Sequence, residues 1–313
     1  MTAVAHDALP HIGPAVVTLG VFDGVHVGHR HLAAATARAA DEHRCTSVAI
    51  VFSPHPDEVI RPGTVVPRLL PRSLTLERLR ASGLDHAVEV RFDDHVRGLA
   101  PETFLAGLGP AIELRAVVMS RDSAFGKGRA GTLERVADIG RERGFSAVSV
   151  EPLLVDGAPV SSSRVREALR AGEVDAATRL LGAPPMLRGT VVHGDRRGRE
   201  LGFPTANLAF DYTPALPALG IYLGRVSVPE RGVGPGHPAL VSVGVRPTFH
   251  DDGRVLAEVY LLDWDGDLYD ATLEVELVGR LREERRFDSV EALVAQMRRD
   301  EADARHRLAR NGG

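Results

Sequence analysis

The rhythm of apolar residues changes once along this chain, near residue 184, and that change limits the folds open to it. Before it, short apolar runs alternate with helical patterns. "AVVTLG" (15–20) ends in glycine and precedes a helical stretch from Val27 to Ala40. "TSVAIVFS" (46–53) is β-branched and apolar, as in a strand buried on both faces. "SLTLERLRASG" (73–83) predicts a helix with Ser73 as N-cap and Gly83 as terminator. "HAVEVRF", "LRAVVMS" and "FSAVSVEPLL" read as further strands, with helices at "PETFLAGLG" and "GTLERVADIGRERG". Alternation of this kind implies parallel pairing through right-handed crossovers, a doubly wound α/β domain whose ligands bind at the carboxyl ends of the strands.

In "LLGAPPMLRG" two prolines end the helix "EVDAATRLL". Beyond them short strand-like runs dominate: "GTVVHG", "GIYLGRVSV", "PALVSVGV", "VLAEVYLLDW" and "ATLEVELVGRL". Separated by Gly, Pro and Asp turns, they predict an antiparallel barrel or sandwich. "PERGVGPGHP" (229–238) reads as a loop, and "RLREERRF" as a source of surface ion pairs. A closing helix from Ser289 to Ala309 carries Val290, Leu293, Val294 and Met297 on one stripe. The chain of 313 residues is long enough for two domains, expected at 1–186 and 187–313.

Aromatic residues are only 5% of the chain, so both cores are expected to be mostly aliphatic. A net charge of −4 argues against a general nucleic-acid binder. Cys45 is the single cysteine, which excludes a disulfide within the chain and suits a reducing cytosol. "MTAVAHDALPHIGPA" lacks the basic and apolar regions of a signal peptide. No stretch approaches the roughly 18 apolar residues of a membrane span. A soluble, cytoplasmic protein is expected.

The densest local signal is "LGVFDGVHVGHRHLAAAT" (19–36). A strand ends at Gly20, a tight turn follows, and a helix begins near His26. Backbone N–H groups and the positive end of the helix would face a phosphate there. Gly24 and Gly28 allow the backbone to approach a ligand. His26 and His29 can donate to oxygens that gain charge during attack on an α-phosphate. A zinc centre needs a third or fourth ligand that the spacing does not supply.

This stretch resembles the HxGH motif of the nucleotidylyltransferase superfamily, and "GVFDGVHVGH" is similar to the N-terminal domain of bacterial FAD synthetases. "VFSPHPDEVI" (51–60), "VRFDDHVRGLAPETFL" (90–105) and "VSSSRVREAL" (160–169) resemble further stretches of that family in order. The second half resembles riboflavin kinase through "RGTVVHGDRRGRELGFPTANL" (188–208), "GIYLGRV", "VSVGVRPTF", "AEVYLLDWDGDLYD" and "LREERRFDSVEALVAQMRRD". Nearly the whole chain is thus identified as similar to the bifunctional bacterial riboflavin kinase/FMN adenylyltransferase family.

The resemblance implies substrates riboflavin, FMN and ATP, with Mg²⁺ and without nucleic acid or membrane. In the first domain it implies that His26 and His29 stabilise charge while FMN attacks the ATP α-phosphate. Gly20, Phe22, Asp23, Gly28, Ser162, Ser163 and Arg166 would hold ATP and its phosphates, and Asp122 and Phe125 would lie at the flavin. In the second, Glu258 would be the catalytic base. Thr205 and Asn207 would supply oxygens to Mg²⁺, and the loop with Gly194, Gly198, Gly202 and Pro204 would wrap the phosphates. Arg196, Arg197 and Arg199 would be partly solvated, with one touching phosphate.

The family pattern G-x-[DN]-F-x-F-G reads "SRDSAFGKGR" here, so Ser120 and Ser123 replace a glycine and a phenylalanine. Ala183, Pro185 and Asp270 also depart from the family form. The departures leave open a specialised paralogue, whose first domain uses another flavin or nucleotide or is inactive. A flavin- or nucleotide-binding regulatory protein is a further alternative, opposed by the retained Glu258 and Thr205.

Overall fold

The computed structural model describes residues 3–194, 198, 201–245 and 255–311. The chain forms two compact units: residues 1–66 with 72–162, and residues 67–71 with 163–313.

The first unit is built on a five-stranded parallel sheet of order β3-β2-β1-β4-β5. Its strands are β1 (Gly13–Gly20), β2 (Thr46–Ser53), β3 (His86–Arg91), β4 (Ile112–Ser120) and β5 (Ser146–Val150). Both faces are covered, which is why these strands read as apolar runs. On one face the alanines of α1 (Val27–His43), including Ala35, Ala39 and Ala40, pack on Val16 and Val118. On the other, Phe104, Leu105 and Leu108 of α5 (Pro101–Leu108) and Ile139 of α6 (Leu133–Arg143) pack on Val17, Ile50 and Val117. Short helices α2 (Pro56–Ile60) and α4 (Asp94–Gly98), and a hairpin of β6 (Leu154–Val155) and β7 (Ala158–Pro159), have no period for the sequence to reveal. Helix α3 spans Arg72–Ala81, so Ser73 lies inside it rather than capping it. With Pro71, whose φ is fixed, just before it, the helix begins two residues earlier than a Ser73 cap would set it.

The strand order reverses at β1, which lies between β2 and β4, and ligands of open α/β sheets bind at the carboxyl side of such a point. There the chain leaves Gly20, makes a 3-10 turn over Asp23–Val25, and enters α1. Phe22, Gly24 and Val25 all take positive φ in this turn, at 55°, 83° and 43°.

The second unit begins with α7 (Ser162–Ala171), of which Ser162 itself groups with the first unit, and α8 (Val174–Leu181). A closed barrel follows, in the order β10-β11-β12-β9-β8-β13. The strands are β8 (Met186–Val192), β9 (Ala206–Ala209), β10 (Gly220–Val228), β11 (Val233–Val245), β12 (Val255–Leu261) and β13 (Thr272–Glu283). Of the two expected architectures, the chain adopts the barrel. Alternation sends Ala257, Val259 and Leu261 inward, while Tyr260 joins the layer under the closing helix α9 (Val290–Asn311).

Three expectations are corrected here. Residues 233–238 belong to β11 and not to a loop, because they pair with β10 across a bulge between Val226 and Val228 that accommodates Pro235. Val290 is 55% exposed rather than part of a buried stripe. Helix α9 is instead seated through Asp300 and Ala304, which are buried. Finally, Arg282 of "RLREERRF" forms a buried pair, not a surface one. Its Nε and Nη2 donate to Asp300 at 2.7–3.0 Å, and Gln296 Nε2 donates to the same carboxylate at 2.8 Å. Among the described residues no helix is long and apolar enough to cross a membrane.

Candidate functional sites

In the first unit, His26 is the N-cap of α1, and its Nδ1 accepts a hydrogen bond from the His29 backbone N–H at 3.2 Å. That bond leaves the proton of a neutral His26 ring on Nε2. The two imidazoles stack with centroids 3.6 Å apart, and the Phe22 ring meets His29 edge-on at 5.2 Å. Burial, and next the neighbouring His26, hold the His29 pKa well below its ordinary value. At neutral pH His29 is therefore an uncharged imidazole, suited to donating a hydrogen bond rather than carrying a fixed charge.

Gly28 lies where a Cβ would sit 3.2 Å from the His26 ring and 3.6 Å from Val160. Gly20 is similarly close to the Phe22 ring, at 3.4 Å. On the role that the resemblance implies for His26, Gly28→Ala is expected to displace its imidazole and slow adenylyl transfer about tenfold, since small misplacements of catalytic groups are costly. Pyrophosphate release with FMN and ATP measures this, and FMN formation from riboflavin serves as the unaffected control.

Asp23 is buried beside these residues, and its carbonyl accepts from Ser162 Oγ at 2.9 Å. The structure thus unites the glycine-rich turn, both histidines and Ser162, the second serine of "SSSR". Ser163 and Arg166 fall in the second unit, where Arg166 Nε donates to the Pro67 carbonyl at 2.7 Å. Asp122 is exposed in the turn after β4. Phe125 is 7% exposed and packs edge-on against Phe104 at 5.5 Å. The serine found where the family has phenylalanine has a local use: Ser123 Oγ donates to the Ser120 carbonyl at 2.7 Å and closes that turn.

In the second unit, Glu258 on β12 stands opposite Asn207 on β9 in the strand register. Thr205 Oγ1 lies 3.5 Å from Glu258 Oε2. Two chain segments some 50 residues apart are brought together by one antiparallel pairing. Thr205 and Asn207 line a cavity of about 160 Å³ with Gly194, Gly198 and Pro204. A Cβ at Gly194 would overlap the Asn207 side chain, and one at Gly198 the Phe203 carbonyl. Gly202 takes φ +84°. All three glycines are therefore required by close approach or by backbone conformation. Arg196, Arg197 and Arg199 lie outside the described residues.

The same cavity is lined by Trp264 and Tyr269, with the His193 ring 3.8 Å from that of Tyr269. Sequence reasoning assigned no role to these residues, although "DWDGDLYD" was available as a signal. Asp270, which replaces a glycine of the family pattern, sits at φ +62°, the region that glycine enters at least cost.

A nucleotide-type parallel sheet with histidines at its switch point, followed by a barrel that presents a carboxylate beside a glycine-lined cavity, defines a two-part transferase. Family models agree: one described as FAD synthetase matches residues 10–164, and one described as riboflavin kinase matches residues 181–308. A Pseudomonas fluorescens protein named bifunctional riboflavin kinase/FMN adenylyltransferase is 36% identical over 305 residues, covering 96% of this chain and 95% of its own. A Listeria monocytogenes protein of the same name is 34% identical over 93% of this chain and 91% of its own. The chain belongs to the bifunctional riboflavin kinase/FMN adenylyltransferase family. A solved structure from Streptococcus pneumoniae superposes with a TM-score of 0.87 at 30% identity, covering 96% of this chain and 97% of its own. That protein is named a macrolide-efflux protein.

Proposed function

We propose that this chain carries out both steps of flavin cofactor synthesis. Residues 187–313 transfer the γ-phosphoryl group of ATP to the ribityl 5′-hydroxyl of riboflavin, giving FMN and ADP. Residues 1–186 join the phosphate of FMN to the α-phosphorus of ATP, giving FAD and pyrophosphate. The observation that carries the reading is the convergence of Glu258 on β12 with Thr205 and Asn207 at the start of β9 beside a glycine-lined cavity.

Phosphoryl transfer depends on positioning and charge neutralisation more than on covalent chemistry. Glu258 would orient the 5′-hydroxyl and take its proton. Hydroxyl, amide and carboxylate oxygens are hard donors, so Thr205 and Asn207 fit Mg²⁺, which would neutralise phosphate charge there. In the adenylyl transfer His26 and His29 would donate to oxygens on the α-phosphate as charge grows. Gly20, Phe22, Asp23 and Gly28 would shape that end of the site, Ser162, Ser163 and Arg166 would steady the departing phosphates, and Asp122 and Phe125 would lie toward the flavin. Cytoplasmic residence fits a chain with one cysteine and no membrane-length apolar helix among the described residues.

Product analysis with riboflavin, ATP and Mg²⁺ tests the reading: FMN and FAD are expected, and FMN alone would restrict it to the kinase. Replacing both His26 and His29 with Ala should slow FAD formation and pyrophosphate release while sparing FMN formation. Loss of one such donor raises a barrier by about 2.7–4 kcal/mol. Equal FAD rates in the wild-type and double-alanine chains would make the pair structural.

A further inference from the structure

We propose that a cavity in the second unit, apart from the one lined by Thr205 and Asn207, binds FMN through its phosphate and its ring. The proposal rests on the two-reaction reading above, in which FMN is the product of one half and the substrate of the other. The cavity has a volume of about 960 Å³, within the usual range for small-molecule sites. Its walls include Phe210, Tyr212, Leu216 and Pro217, and α7 contributes Arg166 and Arg170, one helical turn apart.

The cavity is built by chain segments far apart in sequence and stitched by their backbones. Arg68 N–H donates to the Thr213 carbonyl at 2.8 Å, and Ala215 N–H donates to the Arg68 carbonyl at 2.7 Å. Ala218 N–H donates to the Leu169 carbonyl at 2.9 Å, and Arg280 Nη2 donates to the Leu219 carbonyl at 2.8 Å. Phe210 and Leu216 of this segment also pack against the barrel core, so the cavity wall is fixed from within as well. The Phe210 and Tyr212 rings meet at 79° with centroids 5.8 Å apart, which fixes two aromatic walls.

The chemistry selects the occupant. Apolar and aromatic walls suit a large planar ring system. Arg170 makes no hydrogen bond or ion pair among the described residues, and a guanidinium is the side chain best matched to a terminal phosphate. Asp211 also lines the cavity, and Arg166 is engaged at the Pro67 carbonyl, so Arg170 is the guanidinium left to meet a phosphate. One guanidinium beside one carboxylate suits a monophosphate better than the more highly charged triphosphate of ATP. FMN combines the ring and the terminal phosphate. Riboflavin lacks the phosphate, and in FAD it is buried in a diphosphate bridge.

Equilibrium dialysis of the full chain with FMN, in the absence of ATP, tests the proposal, with riboflavin and FAD dialysed in parallel. Two variants are compared with wild type: Arg170→Glu, at an exposed position, and Leu216→Trp, which fills the cavity without changing its charge. Each should lose one FMN equivalent per chain, or bind it at least about tenfold more weakly, as expected for a lost charge-assisted contact or a blocked site. Riboflavin binding and the saturated rates of FMN and FAD formation should not change. An FMN count and affinity equal in wild type and both variants would overturn the proposal. So would an Arg170-dependent site that takes FAD or riboflavin as well as FMN. Because dialysis requires no turnover, a chain that makes neither FMN nor FAD overturns the reading of function, while an unchanged binding count overturns the cavity alone.

Discussion

Glu258→Gln is expected to lower FMN formation by about 10²- to 10⁴-fold, the usual contribution of a single general base, while ATP binding is largely kept. The substitution preserves size and the strand pairing with Asn207, so the barrel should be undisturbed. It removes the ability to accept the hydroxyl proton and also the negative charge beside Thr205 Oγ1, 3.5 Å away. The measurement is single-turnover conversion of riboflavin at saturating ATP. FAD formation from supplied FMN is the internal control, because it does not use this carboxylate. Kinase turnover near the wild-type rate would remove Glu258 from its assigned role.

The second large effect concerns stability. Asp300→Ala should destabilise the chain by about 3–5 kcal/mol, the cost of leaving one partner of a buried ion pair uncompensated. The side chains of Arg282 and Asp300 are only 12% and 5% exposed, and the pair joins β13 to α9. The Arg305–Asp263 pair makes a contrast, since its side chains are 44% and 68% exposed. Asp263→Ala should hardly move the unfolding transition, as is usual for a solvated pair. Urea denaturation followed by circular dichroism compares the two. Equal midpoints for both variants would show that the buried pair contributes no more than the solvated one.

The parallel sheet was legible because β2 is buried on both faces, and a strand in that setting has no reason to alternate. The barrel strands were legible for the opposite reason: inward Ala257, Val259 and Leu261 alternate with other residues along β12. Residues 233–238 were not legible, because glycine and proline dominate locally and only pairing to β10 reveals a strand. The Arg282–Asp300 pair was hidden for a related reason. Its members are 18 residues apart, and charged side chains in isolation suggest solvent. In the candidate sites, His26, Gly28, Ser162 and Glu258 stand out through residue type and order. The link from Ser162 to Asp23 runs through a backbone carbonyl, which no side-chain pattern announces. Trp264 and Tyr269 reach their cavity only because the turn after β12 folds back over it.

The cap on α1 ties the start of that helix to the protonation of a proposed catalytic ring. His26 Nδ1 is occupied as an acceptor from the His29 N–H, so the ring has a single place to keep its proton while neutral. His29 stacks on that ring, and burial depresses its pKa. Its neutral state favours folding above the ordinary histidine range, near pH 6.5, and that contribution declines as pH falls below it, where the unfolded chain takes up the proton more readily. Acidity thus charges the ring stacked on the cap of α1, so that loss of adenylyl transfer at low pH and loosening of the local fold become one event.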